Sequence, residues 1–243
     1  MNIIKLDAIG STNVYLKDLL SHQNLSNFTV VITESQTDGK GQRGSKWSSE
    51  KGSNLTFSVL MKNLLLDIAS IYDLNVLVAL SVLKAVKKEG IGTGRIKWPN
   101  DILAGNKKLG GILIENIIKS DGEILSIVGI GLNVNQIDFS EFPQASSLAV
   151  QLGRNFDKED LFYKILENLY FYFNGLRNGG KRAIWKEYHE HLYKINTPMA
   201  FELPNGYRFM GIIQEVNQEG ALLVKLENDT IEKFYMKEVK MLY

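Results

Sequence analysis

The segment Gly39-Lys40-Gly41-Gln42-Arg43-Gly44-Ser45-Lys46-Trp47 sets three glycines and three cations, Lys40, Arg43 and Lys46, ahead of a large aromatic ring. Such residues suit an anion, because glycine lets backbone N–H groups turn inward on it while the cations neutralise it. A solvated surface loop is the plain alternative, and Trp47 counts against it, since an indole ending a polar loop packs on something. The spacing formally matches G-x-G-x-x-G. A dinucleotide site, however, needs a strand directly before and a helix directly after, where this chain has Ser35–Asp38 and Ser48–Ser53. No G-x-x-x-x-G-K-[ST] phosphate loop occurs either. Two further segments have the same character. Lys97-Trp98-Pro99-Asn100-Asp101 joins a cation, an aromatic, a rigid turn and two short polar side chains, and Lys108-Leu109-Gly110-Gly111-Ile112-Leu113 joins a cation to paired glycines. Glycine inside a strand pattern marks close backbone approach by a ligand.

Composition narrows the chemistry. The 243 residues carry 28 Lys+Arg against 27 Asp+Glu, a formal charge of +1, so an anion must be met by a local cluster and no broad nucleic-acid surface is expected. Cysteine is absent, which removes disulfides, thiolate metal sites and a cysteine nucleophile and fits a reducing cytoplasm. The three histidines, His22, His189 and His191, barely supply a zinc site or a catalytic triad; His189 and His191 are expected to face solvent. The N-terminus has no signal pattern and no apolar run nears the ~18–20 residues of a membrane span, so a cytoplasmic protein without membrane contact is expected.

The elements that must position these segments are mixed. Strands are expected at 3–6, 28–33, 55–61, 95–98, 109–116 and 124–135, the last two joined by the turn Ser120-Asp121-Gly122. Helices are expected at 14–21 behind the capping run Ser11-Thr12-Asn13, at 68–89, where apolar residues fill most faces, and after Asp157, where Leu161, Phe162, Ile165, Leu166, Leu169, Phe173 and Leu176 form one stripe. The polar, glycine-rich gap between Thr33 and Leu55 is long for a compact domain, which favours a functional loop. Beyond Ile195 short strands alternate with turns, the pattern of a small β-barrel docked on the larger domain. The expected division is 1–195 and 196–243.

Taken in order and spacing, Ser11-Thr12-Asn13, Gln36, the 39–47 loop, Lys97–Asp101, Lys108–Leu113 and Gly129-Ile130-Gly131-Leu132-Asn133-Val134-Asn135 resemble the biotin protein ligases. The resemblance implies an α/β (mixed α+β) catalytic domain of the class II synthetase-like type followed by a small SH3-like β-barrel. It implies an enzyme that uses ATP and Mg²⁺ to make biotinyl-5′-AMP and then biotinylates one lysine of a biotin carboxyl carrier protein, the acetyl-CoA carboxylase subunit. Ser11, Thr12, Asn13 and Gln36 are then expected around the biotin head. Lys40, Gly41 and Gln42 would close over biotin and its adenylate, and Gly110 and Gly111 would line the slot. Lys97 and Lys108 should face the biotin carboxylate and the α-phosphate. Gly39, Arg43, Trp47, Asn100 and Asn133 would attend the nucleotide, and Asp101 would orient the incoming amine. The catalytic set is Lys40, Arg43, Lys97, Lys108 and Asp101; metal ligands are left unassigned. Many relatives carry arginine where Gln42 stands, so either Arg43 substitutes or the adenylate is held less tightly. The family's lipoate protein ligases share the fold and chemistry and are the alternative, but their R-R-x-S-G-G-G-type loop is absent here. The match begins almost at Met1, so the monofunctional type without an N-terminal DNA-binding domain is expected. The oligomeric state stays open, with homodimers paired through the catalytic sheet among the family.

Overall fold

The computed structural model describes residues 2–64 and 70–243, with the backbone alone at Arg43. Strand β1 (Asn2–Leu6) leads through helix α1 (Thr12–His22) to its parallel neighbour β2 (Thr29–Thr33), and β3 (Leu55–Met61) follows the long loop. Helix α2 (Ile71–Lys88) precedes β4 (Gly94–Lys97), β5 (Asp101–Ala104), β6 (Lys107–Ile118) and β7 (Ile124–Leu132), after which come α3 (Leu148–Leu152), α4 (Lys158–Arg177) and α5 (Lys181–Glu190). The helix start expected at Ile68 lies outside the described residues. Among the described residues the strands make a seven-stranded sheet in the order β1-β2-β3-β7-β6-β5-β4, antiparallel except for the first pair. Strand β5 was not foreseen; Asp101, read as part of a turn, opens it. This is the expected mixed α/β architecture.

The two faces of the sheet are dressed differently. One presents Leu55, Phe57, Val59, Val128, Ile130, Leu132 and Ile112 to α2 and α4, whose Leu74, Leu77, Leu161, Phe162, Ile165 and Leu169 complete the main core. Helix α2 is apolar almost all round because it is wedged between the sheet and helices α4 and α5. Helix α4 starts where Asp157 Oδ1 accepts from the N–H groups of Glu159 (2.8 Å) and Asp160 (3.2 Å), a cap worth about 1 kcal/mol. On the opposite face α1 packs Leu16 over Val31, Leu60, Leu125 and Ile127. Further along the same strands the residues shrink: Ser58 pairs with Gly129 and Gly129 with Leu113, and one row on, Thr56 pairs with Gly131 and Gly131 with Gly111. The change from leucine and isoleucine to serine, threonine and glycine turns that face from core into the floor of a cavity.

The second sheet comprises β8 (Pro198–Glu202), β9 (Arg208–Val216), β10 (Leu222–Leu226), β11 (Ile231–Phe234) and β12 (Lys240–Leu242), antiparallel in the order β11-β10-β9-β8-β12, as expected of an SH3-like domain. Strand β12 had no sequence signal strong enough to mark it. The Asn217–Gly220 turn sits against the larger part: Trp98 Nε1 donates to Gly220 O (2.9 Å), and a Cβ at Gly220 would stand 2.1 Å from the Tyr72 ring. His189 does not face solvent as expected. It is half-buried at this seam, where Val216 N–H donates to its Nε2 at 3.1 Å, because the last turn of α5 abuts the end of β9. His191 is half-buried too, and burial lowers its pKa. Among the described residues no helix is long and apolar enough to cross a membrane.

Candidate active site

A cavity of about 260 Å³ lies on the glycine floor, between the N-terminus of α1, the 39–47 loop and the start of β6. Its inner end is polar and almost fully cross-linked. Thr12 donates to Gln36 Oε1 through both its backbone N–H (2.8 Å) and its hydroxyl (3.1 Å). The Ser58 hydroxyl lies 2.7 Å from Thr12 Oγ1 and 2.6 Å from Asn13 Oδ1, and Asn13 Nδ2 donates to Glu115 Oε2 at 2.7 Å. Among the described residues Gln36 Nε2, whose amide oxygen is saturated, and the Ser11 hydroxyl, which makes no capping bond to its helix, are open to the cavity. Asn13, expected among the biotin ligands, is a clip between α1, β3 and β6. It needs Gly129 beneath it, where a Cβ would stand 2.4 Å from Asn13 Oδ1.

The loop above is a folded strap. Trp47 N–H donates to Gly39 O (3.0 Å) and Gly41 N–H to Ser45 O (2.7 Å), and a single 3₁₀ turn, Gln42–Gly44, caps the two legs. A Cβ at Gly39 would meet Trp47 O at 2.3 Å and one at Gly41 would meet Ser45 Oγ at 2.4 Å. These glycines are therefore required by the contact between the legs. The expected inward-turned N–H of Gly41 is spent within the strap. Lys40, Gly41, Gln42 and Lys46 line the cavity. Lys40 Nζ lies 2.5 Å from Asp38, whose carboxyl it holds below its usual range, in an exposed pair. Arg43 falls in the 3₁₀ turn. Trp47 lies flat on the floor: a Cβ at Gly131 would be 2.4 Å from its Cε2 and one at Gly111 3.7 Å from its Cζ3. Its buried Nε1–H has no acceptor among the described residues.

The outer end is charged. Asp101 Oδ1 accepts Lys108 Nζ at 2.6 Å and Oδ2 meets Lys97 Nζ at 3.4 Å, so one carboxylate serves two ammonium groups and the cluster keeps a net positive charge. A β-bulge makes this geometry. The β5–β6 register runs Ile102↔Gly110 and then Leu103↔Lys108, leaving Leu109 extra, which carries Lys108 onto the face of Gly111 and Leu113. Regular alternation would have put Lys108 with Gly110 and Ile112. Gly111 makes room for it, since a Cβ there would stand 3.3 Å from Lys108 Nζ. Gly110, by contrast, does not line the slot; its missing side chain lets β7 approach, as a Cβ would meet Gly131 O at 2.7 Å. Asn100 lines the cavity while its Nδ2 donates to Ile112 O (2.7 Å). Lys97 and Asn133 stand outside it. Asn133 is buried, donates to Ser146 O (3.0 Å) and borders an adjoining cavity that shares Lys46, Trp47 and Lys108 with the first and adds Phe142, Pro143 and Tyr243. Thr56, Ser58 and Glu115 carry no signal of their own in the sequence, whereas Gly129 and Gly131, in the Gly129–Asn135 motif, form the floor that these residues border.

A profile of the Biotin/lipoate A/B protein ligase family matches residues 6–135. The bifunctional ligase/repressor BirA of Bacillus subtilis (strain 168) is 29% identical over 246 residues, covering 99% of this chain and 74% of that protein. The biotin–[acetyl-CoA-carboxylase] ligase of Mycobacterium tuberculosis (strain ATCC 25618 / H37Rv) is 28% identical, covering 93% of this chain and 85% of that one. The fold is similar to the biotin protein ligase of Aquifex aeolicus in complex with biotin and ATP, with a TM-score of 0.81 at 24% identity over 99% of this chain and 98% of the other. With the cavity, the strap and the two-lysine cluster in the order that the motifs demand, the chain belongs to the biotin/lipoate A/B protein ligase family.

Proposed function

We propose that this chain joins biotin to ATP as biotinyl-5′-AMP, releasing pyrophosphate, and then passes the biotinyl group to one lysine of a biotin carboxyl carrier protein of acetyl-CoA carboxylase. The observation that carries the reading is a cavity with neutral hydrogen-bonding groups at one end and, at the other, Lys108 on Asp101, a carboxylate that also meets Lys97 outside the cavity. A ureido ring matches the first: Gln36 Nε2 and Ser11 supply donors for its oxygen, while the glycine floor admits a flat bicyclic body. Lipoate, the alternative, carries a dithiolane without hydrogen-bonding groups. It would cover those polar groups without pairing them, which a site built for hydrogen bonds rejects strongly.

In the first step a biotin carboxylate oxygen bonds to the α-phosphorus and the α–β phosphoanhydride bond breaks, with pyrophosphate leaving. The nucleophile is already an anion, so no base is needed. What the protein must do is hold two negative groups together, which Lys108, Lys97 and the strap's Lys40 do by charge. In the second step the carrier amine attacks the acyl carbon, AMP leaves and the amine loses one proton. Asp101 is the group placed to accept a hydrogen bond from that amine once Lys108 turns to the phosphate. Trp47 Nε1–H awaits an acceptor on the nucleotide, and the cavity bordered by Asn133 receives the base.

Mg²⁺ enters with the triphosphate as part of that substrate. The donor set does not make a resident metal site: the carboxylate lining the cavity, Asp101, is already held by two lysines, and the described residues contain no cluster of three or more His, Cys, Asp or Glu. The reading assigns the chemistry to residues 1–195 and treats 196–243 as a docked domain, in a cytoplasmic enzyme. Pairing of two copies, or of enzyme and carrier, through the sheet has structural support. Strand β5 pairs with β6 only as far as Gly111, so Leu113–Ile118 keep an open edge among the described residues. The test is incubation with MgATP, labelled biotin or labelled lipoate, and a biotin carboxyl carrier domain. Biotin-dependent pyrophosphate release and label on the carrier lysine are expected; transfer from lipoate alone would overturn the reading.

A further inference from the structure

Tyr243, from the SH3-like part, reaches the lysine cluster of the larger part. It follows β12, whose Leu242 pairs with Ala200, and its ring packs edge-on to Tyr193 at 5.6 Å and 67°. Tyr193 is itself fixed beside the cluster: its backbone N–H donates to Ile96 O (2.7 Å), one residue before Lys97, and its hydroxyl donates to Asn106 Oδ1 (2.7 Å). The face of the Tyr243 ring lies 4.9 Å from Lys97 Nζ. The ring also borders the cavity that holds Lys108, Trp47 and Asn133. Burial raises the Tyr243 pKa, with the negative Asp101 adding to the rise and Lys108 opposing it, which sets the phenol beside that ion pair.

From this geometry we infer that Tyr243 is a positioning residue for ATP, holding the Lys97 ammonium toward the triphosphate without neutralising it. The electrostatics favour a ring in that place. Lys97 has the longer of the two contacts to Asp101, 3.4 Å against 2.6 Å, and needs a second restraint. A second carboxylate would cancel the positive charge that an incoming polyanion requires, whereas the quadrupole of an aromatic face attracts the ammonium and leaves its charge available. Because the ring directly follows the last strand of the second sheet, that part of the chain takes a direct share in the site.

The inference rests on the proposed adenylation, and the test separates the two. Biotin-dependent pyrophosphate release is measured in the full chain for wild type, Tyr243→Ala, Tyr243→Leu and Tyr243→Phe. The expected result is a rise of about tenfold in KM for MgATP in the Ala and Leu variants, the worth of a partly desolvated cation–π contact. KM for biotin should stay unchanged, and Tyr243→Phe, which keeps the ring face, should restore the ATP KM. Leu retaining the wild-type ATP KM, or a rise in both KM values together with a fallen Tm, would overturn the positioning role. An inactive wild type would instead remove the adenylation reading on which it stands.

Discussion

At the scale of single residues the site depends on charge placement more than on acid–base chemistry, so the informative variants are those that remove one charge. Lys108→Ala leaves Asp101 facing the phosphate without its closer counter-ion. Biotin-dependent pyrophosphate release should fall by at least about 100-fold, the scale of losing one preorganised charge stabiliser. Lys40→Ala should be as damaging, whereas Gln42→Ala, at the position where many relatives carry arginine, should reduce the rate less; a Lys108→Ala variant with normal pyrophosphate release would remove the assignment. Asp101→Asn keeps the shape but drops the charge shared by Lys97 and Lys108. It should slow transfer to the carrier more than adenylate formation, read by comparing single-turnover pyrophosphate release with carrier biotinylation. Equal slowing of the two steps would show that Asp101 only holds the lysines. Much of this set was legible in the sequence because unusual residue types stood at unusual spacings, Lys97 to Asp101 and Lys108 to Gly111 above all. The polar clip of Ser58, Asn13 and Glu115 was not, since its members lie on three separate elements and each is ordinary alone.

Among the elements, β7 and the strap depend on each other. Gly131 exists so that Trp47 can lie on the sheet, and Gly131→Ala would force the indole up by placing a Cβ 2.4 Å from Cε2. Overpacking of this kind costs about 1–3 kcal/mol, enough to raise the KM for ATP about tenfold or more. Tryptophan fluorescence checks the cause. Trp98 and Trp185 are buried in the core, so an ATP-dependent change in emission should come from Trp47, be diminished in Gly131→Ala and vanish in Trp47→Phe. The strap's glycines were legible as a motif, yet their reason was not. Residue types suggested N–H groups turned on an anion, while the fold shows two legs touching at Gly39 and Gly41. The β5–β6 bulge was likewise hidden, because inserting Leu109 changes the facing of Lys108 without changing any residue type.

Across the whole molecule the two sheets are joined at the turn that carries Lys97–Asp101. Trp98 donates to Gly220 O, and Tyr72 packs on Gly220, whose φ of +83° favours glycine. Gly220→Ala meets both strain and the Tyr72 ring, so a loss of about 1–3 kcal/mol is expected, a fall in Tm of some degrees by thermal unfolding. Adenylation should weaken along with it, since Trp98 and Pro99 hold Lys97 and Asp101 in place; an unchanged Tm would show the seam to be loose. Local pattern alone determined the mixed α/β class, the buried stripe of α4, the strand-rich C-terminal part and the motifs, because periodicity, turn residues and glycine spacing are properties of neighbouring residues. Only the tertiary structure decided that a bulge at Leu109 is what turns Lys108 to the cavity, that His189 is spent at a seam, that Gly110 serves strand pairing and that Tyr243 reaches Lys97. Those facts depend on strand register and on contacts between residues far apart in the chain, which no local pattern encodes.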